Sequence, residues 1–190
     1  MTKRSGCQPR ILATLLGPML LLASVGVASA GKPLLIGPSG VRGVMVRDSL
    51  HDVVRKLQGC ELRLVPSMSE GLPQVSIAAR CGARVTMEVE WDSDSQSVYR
   101  ITVTGGNAAT ARGLRVGDDV RKAVRLYGAP IIGSAEGSVC LTFSSAVGIG
   151  FCLSRDDAHR YLQKLGGLES EEPPLEGHID SILVFGEGKR

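Results

Sequence analysis

Apolar residues recur in this chain with two periods, helical and alternating, and the succession of periods happens twice. Leu50, Val53, Val54 and Leu57 are spaced for one face of a helix running to about Gln58, with Asp48 or Ser49 as its cap and Gly59 at its exit. Alternation then predicts strands over Val75–Arg80, Val85–Trp91 and Tyr99–Val103. The last two fold about residue 95 through the polar connector Asp92–Ser97, which sets Met87 against Val103, Val89 against Ile101 and Trp91 against Tyr99. Further on, Val120, Ala123, Val124 and Tyr127 predict a second helix, capped by Asp118 and ended by Gly128-Ala129-Pro130. Strands at 139–143, 149–153 and 179–185 follow it. Between the last two lie a predicted helix from Asp156 to Leu165, stopped by Gly166-Gly167, and an acidic loop carrying Glu169, Glu171, Glu172 and Pro173-Pro174.

The recurrence extends to the residues themselves. Residues 42–55 align without a gap to 112–125, an offset of 70, and six identities fall on Arg42/Arg112, Gly43/Gly113, Val46/Val116, Asp48/Asp118, Val54/Val124 and Arg55/Arg125. Two copies of one supersecondary unit, each needing the other to close its core, account for such a period. The expected architecture is α+β: two tandem α-β-β-β units with helices packed on one face of antiparallel sheet. It places a linker at 31–39, the first unit at 40–106, and the second at 107–190 with an insertion at 156–177.

Strand register bears on the cysteines. Folding 139–153 about Ala146 pairs Phe143 with Ile149, Leu141 with Phe151 and Val139 with Leu153, all apolar and on one face. The same register sets Cys140 opposite Cys152 on the other face, at a spacing that a disulfide accepts. That leaves Cys60 with Cys81, one staple per unit, each worth about 3 kcal/mol from loop closure. Without a C-x-x-C, a structural role is expected for both.

Of the five cysteines, Cys7 precedes the apolar stretch of the expected leader, and the even set of four that follows agrees with export. Lys3, Arg4 and Arg10 precede the mostly apolar stretch 11–27, and Ala28-Ser29-Ala30 offers small residues for cleavage, so residues 1–30 are expected to be a signal peptide. The expected product is periplasmic or secreted, with no transmembrane span. The chain has 22 basic and 19 acidic residues; removing the leader's three basic residues leaves 19 of each sign. A neutral domain lacks the electrostatic footprint of a nucleic-acid binder.

A helix opening on Val116-Gly117-Asp118 and closing on Tyr127-Gly128-Ala129-Pro130, followed by antiparallel strands, resembles the SmpA/OmlA (BamE-like) module of bacterial envelope proteins. Two such units in tandem, with one disulfide in each, are similar to the beta-lactamase inhibitory protein family. The resemblance implies a tandem-sheet fold and a role in binding another protein. The chain has no lipobox, and its first unit ends Gln58-Gly59-Cys60 without the Gly-x-Pro exit.

Reactive chemistry is sparse. There is no G-x-S-x-G, Walker loop or G-x-G-x-x-G, and the S-x-x-K match from Ser29 to Lys32 straddles the expected cleavage site. Asp92–Gln96 opens like a calcium loop but has Ser97 and Val103 where that motif needs Gly and Glu. His51, His159 and His178 share no ligand spacing, so neither metal nor cofactor is expected. The repeated Arg and Asp suit helix capping and turn closure. The expected function is therefore non-catalytic protein binding in the envelope or outside the cell, with inhibition or modulation of an extracytoplasmic protein as its sharper form. Trp91, Tyr99, Glu169, Glu171 and Glu172 are the candidate contacts. The alternatives are a hydrolase assembled in space and a small-molecule or glycan binder between the units.

Overall fold

The computed structural model describes residues 34–69, 72–82, 85–135, 138–164 and 176–186. In chain order these form β1 (Leu34–Gly37), β2 (Gly40–Val41), β3 (Val44–Met45), α1 (Leu50–Lys56), β4 (Glu61–Ser69), β5 (Leu72–Cys81), β6 (Val85–Asp92) and β7 (Ser97–Gly105). There follow β8 (Ala108–Thr110), α2 (Val120–Tyr127), β9 (Ile131–Ala135), β10 (Ser138–Thr142), β11 (Ile149–Leu153), α3 (Arg155–Lys164) and β12 (Ile179–Val184). The fold is mixed α+β with two sheets.

The larger sheet has the order β4-β5-β6-β7-β12-β11-β10-β9, two four-stranded meanders joined where β7 and β12 run antiparallel. Leu62, Ala79, Met87, Val103, Ile182, Phe151, Leu141 and Ile132 stand opposite one another from strand to strand, one apolar row across all eight. Period-two alternation puts this row and its neighbours on one face. Val53 and Leu57 of α1, with Val120, Ala123 and Tyr127 of α2, pack into the same core, and the Tyr127 ring lies 5.4 Å from Phe143 and 5.3 Å from Phe151.

Each of α1 and α2 is followed by four strands of the large sheet, where the hydrophobic pattern predicts three. The additional strands, β4 and β9, are the sheet's two edges. Pro66 interrupts one and Gly133 the other, and an edge strand tolerates both because one side of its backbone needs no partner. Residues 34–37, expected within a linker, form β1, which pairs antiparallel with β2 and parallel with β8. Trp91 faces Val98, not Tyr99: a bulge between Glu90 and Trp91 leaves Tyr99 as the extra residue. Both disulfides form, Cys60–Cys81 and Cys140–Cys152, with Cys140 and Cys152 in register. They occupy different places, the first joining the entry of β4 to the end of β5 and the second joining β10 to β11.

The aspartates of the repeated stretch do the same work twice. Asp48 accepts the Met45 amide at 2.7 Å and pairs with Lys56 at 2.7 Å; Asp118 accepts the Arg115 amide at 2.7 Å and pairs with Lys122 at 2.7 Å. Arg47 N–H donates to Val98 and Val98 N–H returns to Asp48, while Gly117 and Asp118 exchange the same bonds with Ile179. Each turn is thereby tied to the first residues of β7 or β12. Asp118 is not the helix cap, however. That role falls to Asp119, whose carboxylate accepts the Arg121 amide, as Ser49 accepts that of Asp52. A side chain already spent on closing the preceding turn cannot also cap the helix.

Replacing Asp48 or Asp118 by Ala leaves a backbone amide and a lysine unmatched, and each change lowers unfolding free energy by about 1–3 kcal/mol in urea titrations of the oxidised protein. Asn, which still accepts the amide, loses less. Arg47 holds φ at 79°, where the second turn has Gly117 at 89°. Arg47→Gly relieves a conformation costing a side chain about 1 kcal/mol and raises the urea midpoint.

Candidate interaction surface

The sheet's two faces differ in what they leave to solvent. On the face away from α1 and α2, the first meander carries a polar network. Glu90 is buried and receives Arg100 through Nε at 2.7 Å and Nη2 at 2.6 Å, and the Tyr99 hydroxyl at 2.8 Å. Glu88 accepts from the buried Ser76. The Glu90–Arg100 pair and the Tyr99 hydroxyl tie β6 to β7 on this face. Tyr99 is engaged here, whereas Trp91 packs half-buried against the core on the other face. The structure therefore separates these two candidates. Glu169, Glu171 and Glu172 lie outside the described residues.

The remaining polar candidates are structural. The Arg112 guanidinium donates to the Leu126 carbonyl at the end of α2 and sits 5.0 Å from the Tyr127 ring centre. Asp92 accepts the Asp94 amide at 2.8 Å, which closes the hairpin loop. His159 bonds Gln163 along α3 at 2.8 Å, and no trio of His, Cys, Asp or Glu suited to a metal occurs among the described residues.

On the helix side the two halves part company. Ala158 and Tyr161 of α3 belong to the core cluster formed with α1 and α2, and α3 lies against β10 and β11. The positions of β10 and β11 in the sheet correspond to those of β5 and β6 in the first meander, whose helix-side residues Ile77, Ala79, Met87 and Val89 are buried as well. A difference shows in helix side chains matched by the 70-residue offset. Val120 is fully buried and Val124 half-buried, whereas Leu50 and Val54 are 38% and 48% exposed. Leu64 on β4 and Val75 on β5, both on the helix side, are 72% and 44% exposed. Leu50 and Val54 on α1 and Leu64 and Val75 on the paired strands β4 and β5 are thus exposed on the first half, as Ile131, Val147 and Phe185 are on the second.

None of the four on the first half is among the candidates that sequence reasoning singles out. The helical stripe predicts Leu50 and Val54 as buried, but only Val53 and Leu57 reach the core. The alternation of Leu62 and Leu64 with Arg63 marks β4 in retrospect, and Pro66 cuts that signal short.

The placement of α3 rests on one carboxylate. Burial pushes Asp157 up, but the His178 amide at 3.0 Å, the Ser154 contact and the Arg160 guanidinium together hold it below the ordinary carboxylate range. Asp157 thus ties the start of α3 to the residues entering β12.

No family model matches the chain, and neither does any curated protein. Among solved structures, the uncharacterized protein yfeY from Escherichia coli is similar, with a TM-score of 0.57 and 15% identity. The match covers 79% of this chain and 98% of that one. That likeness bears on the fold.

A carboxylate whose folded pKa is depressed stabilises the fold above its unfolded value near 3.8 and loses that contribution as pH falls through the lower folded value. Asp157→Asn should therefore be less stable than wild type at pH 7. The gap should narrow as acid unfolding curves are followed below about pH 3.8.

Proposed function

We propose that this protein is an exported, disulfide-stapled module that acts by binding another protein in the bacterial envelope or outside the cell. In this reading residues 1–30 are a cleaved signal peptide, and the remainder is two tandem copies of one helix-and-sheet unit. The observation that carries it is the exposure of Leu50 and Val54 on α1 and of Leu64 and Val75 on the paired strands β4 and β5. Exposed apolar side chains gathered in one region mark surfaces that a partner covers. Two disulfides keep that surface preformed, so little ordering entropy is spent on association.

The test compares residues 31–190, oxidised and immobilised, with the Leu64→Asp/Val75→Asp variant in native envelope extract. Both side chains are exposed, so the variant should keep the wild-type melting temperature. A stoichiometric protein retained by wild type and reduced at least tenfold by the variant is the expected result. Equal retention, or no partner for either, defeats the reading.

A further inference from the structure

We infer that the outer face of the small sheet docks on an anionic lipid membrane. The inference shares with the reading above only the exported state of the domain, and it concerns a different surface. The small sheet has the order β3-β2-β1-β8, and one side of it belongs to the core: Ile36, Val41, Val44 and Ala108 are buried. Register defines the other side. Leu35 lies beside Ala109, and Ala109 bridges to Arg115; Gly37 lies opposite Gly40, and Gly40 opposite Met45. Leu35 and Gly37 are two apart on β1, so these two rows adjoin on one face. Met45 lies across Gly40, where a Cβ would come within 2.6 Å of its sulfur. Only the glycines separate Leu35 from Met45, and the two are 62% and 40% exposed.

Charge identifies what covers this face. Residues 34–47 and 105–117, which form the sheet and its turns, contain four arginines and no aspartate or glutamate. Arg112 is spent on the Leu126 carbonyl. Arg42 at the turn between β2 and β3, Arg47 just beyond Met45, and Arg115 beside Ala109 are exposed, and no carboxylate pairs with their side chains among the described residues. The nearest aspartates in sequence, Asp48 and Asp118, are taken by Lys56 and Lys122.

Guanidinium groups set around aliphatic side chains suit a partner that is negative at its surface and apolar beneath. A bilayer with anionic headgroups has that layering: the arginines meet phosphate while Leu35 and Met45 reach the acyl boundary. A nucleic acid would set those two side chains against phosphate, and neither segment has an aromatic residue on which a base could stack. Only six residues separate the apolar stretch 11–27 from Leu34, so β1 is the part of the domain that the expected leader carries to a membrane surface. Binding of this kind is reversible and peripheral.

The test sediments the exported form, residues 31–190 with both disulfides formed, with vesicles of phosphatidylcholine alone or mixed with phosphatidylglycerol. The expected result is co-sedimentation with the mixed vesicles only, weakening as salt is raised. Each arginine near such a surface strengthens partitioning about fivefold, so Arg42→Gln/Arg47→Gln/Arg115→Gln should lower it by on the order of a hundredfold. Leu35→Ser should lower it severalfold. These side chains are exposed, so both variants should keep the wild-type melting temperature. Leu64→Asp/Val75→Asp, on the large sheet, should bind vesicles as wild type does.

No binding to the mixed vesicles, equal binding to neutral ones, or full binding by the triple variant overturns the inference. Loss of binding in Leu64→Asp/Val75→Asp overturns it as well, because the lipid contact would then lie on the large sheet. An acidic protein retained from envelope extract by wild type and lost by the triple variant, without vesicle binding, assigns the face to a protein and also overturns it. None of these outcomes alters the retention test on Leu64 and Val75.

Discussion

Everything in this fold depends on the antiparallel contact between β7 and β12. Three residue pairs, Ile182 with Val103, Leu183 with Thr102 and Val184 with Ile101, make one sheet of two meanders. Separated, each meander would bear another open edge and half of a core, and a four-stranded sheet with one short helix buries little apolar area for its length. Joined, they carry an unbroken apolar row from Leu62 to Ile132, and the helices have a continuous floor to pack on. The junction is also why neither half can be read as an independent domain. The small sheet reinforces it, since β1 pairs with β2 from one half and β8 from the other.

The repeated turns show how that junction is held in place. Asp48 and Asp118 fix the amides of Met45 and Arg115 and the ammonium groups of Lys56 and Lys122. The backbone bonds on either side of each aspartate then seize the first residues of β7 and β12, the two strands that meet. A motif that recurs as polar and charged in sequence is therefore spent on geometry. That is the physical reason why repetition of the aspartate leads to the junction.

The sequence was most legible where one side chain period governed a whole element. The hairpin of β10 and β11 could be registered from its apolar pairs, and the cysteines followed because a slip of one residue would have moved both them and the core face. The helices and inner strands were legible for the same reason. Edges were not: β4 and β9 have only one neighbour each, so Pro66 and Gly133 are tolerated there, and the alternation they interrupt cannot be extended by rule. The bulge at Tyr99 was equally hidden, since nothing in the alternation from Val85 to Val103 marks an extra residue. The exposure of Leu50 and Val54 was invisible because both fit a buried helical stripe; periodicity says which residues share a face, not what packs against it.

The two halves differ at one place with a thermodynamic consequence. Fully burying a Leu or Val side chain is worth about 1.5–3 kcal/mol, so covering the exposed portions of four is worth on the order of 4 kcal/mol. The second half gains a contribution of that kind internally, because Ala158 and Tyr161 of α3 are buried in the core and α3 needs only the ordering of its connecting residues. Under the proposed protein-binding reading, a partner covering the four exposed residues of the first half would have to offset an association cost of several kcal/mol or more, so these residues would need further contacts beside them. The difference between the halves has a definite place in the chain: α3 lies between β11 and β12, where β6 and β7 are joined by the short loop 93–96.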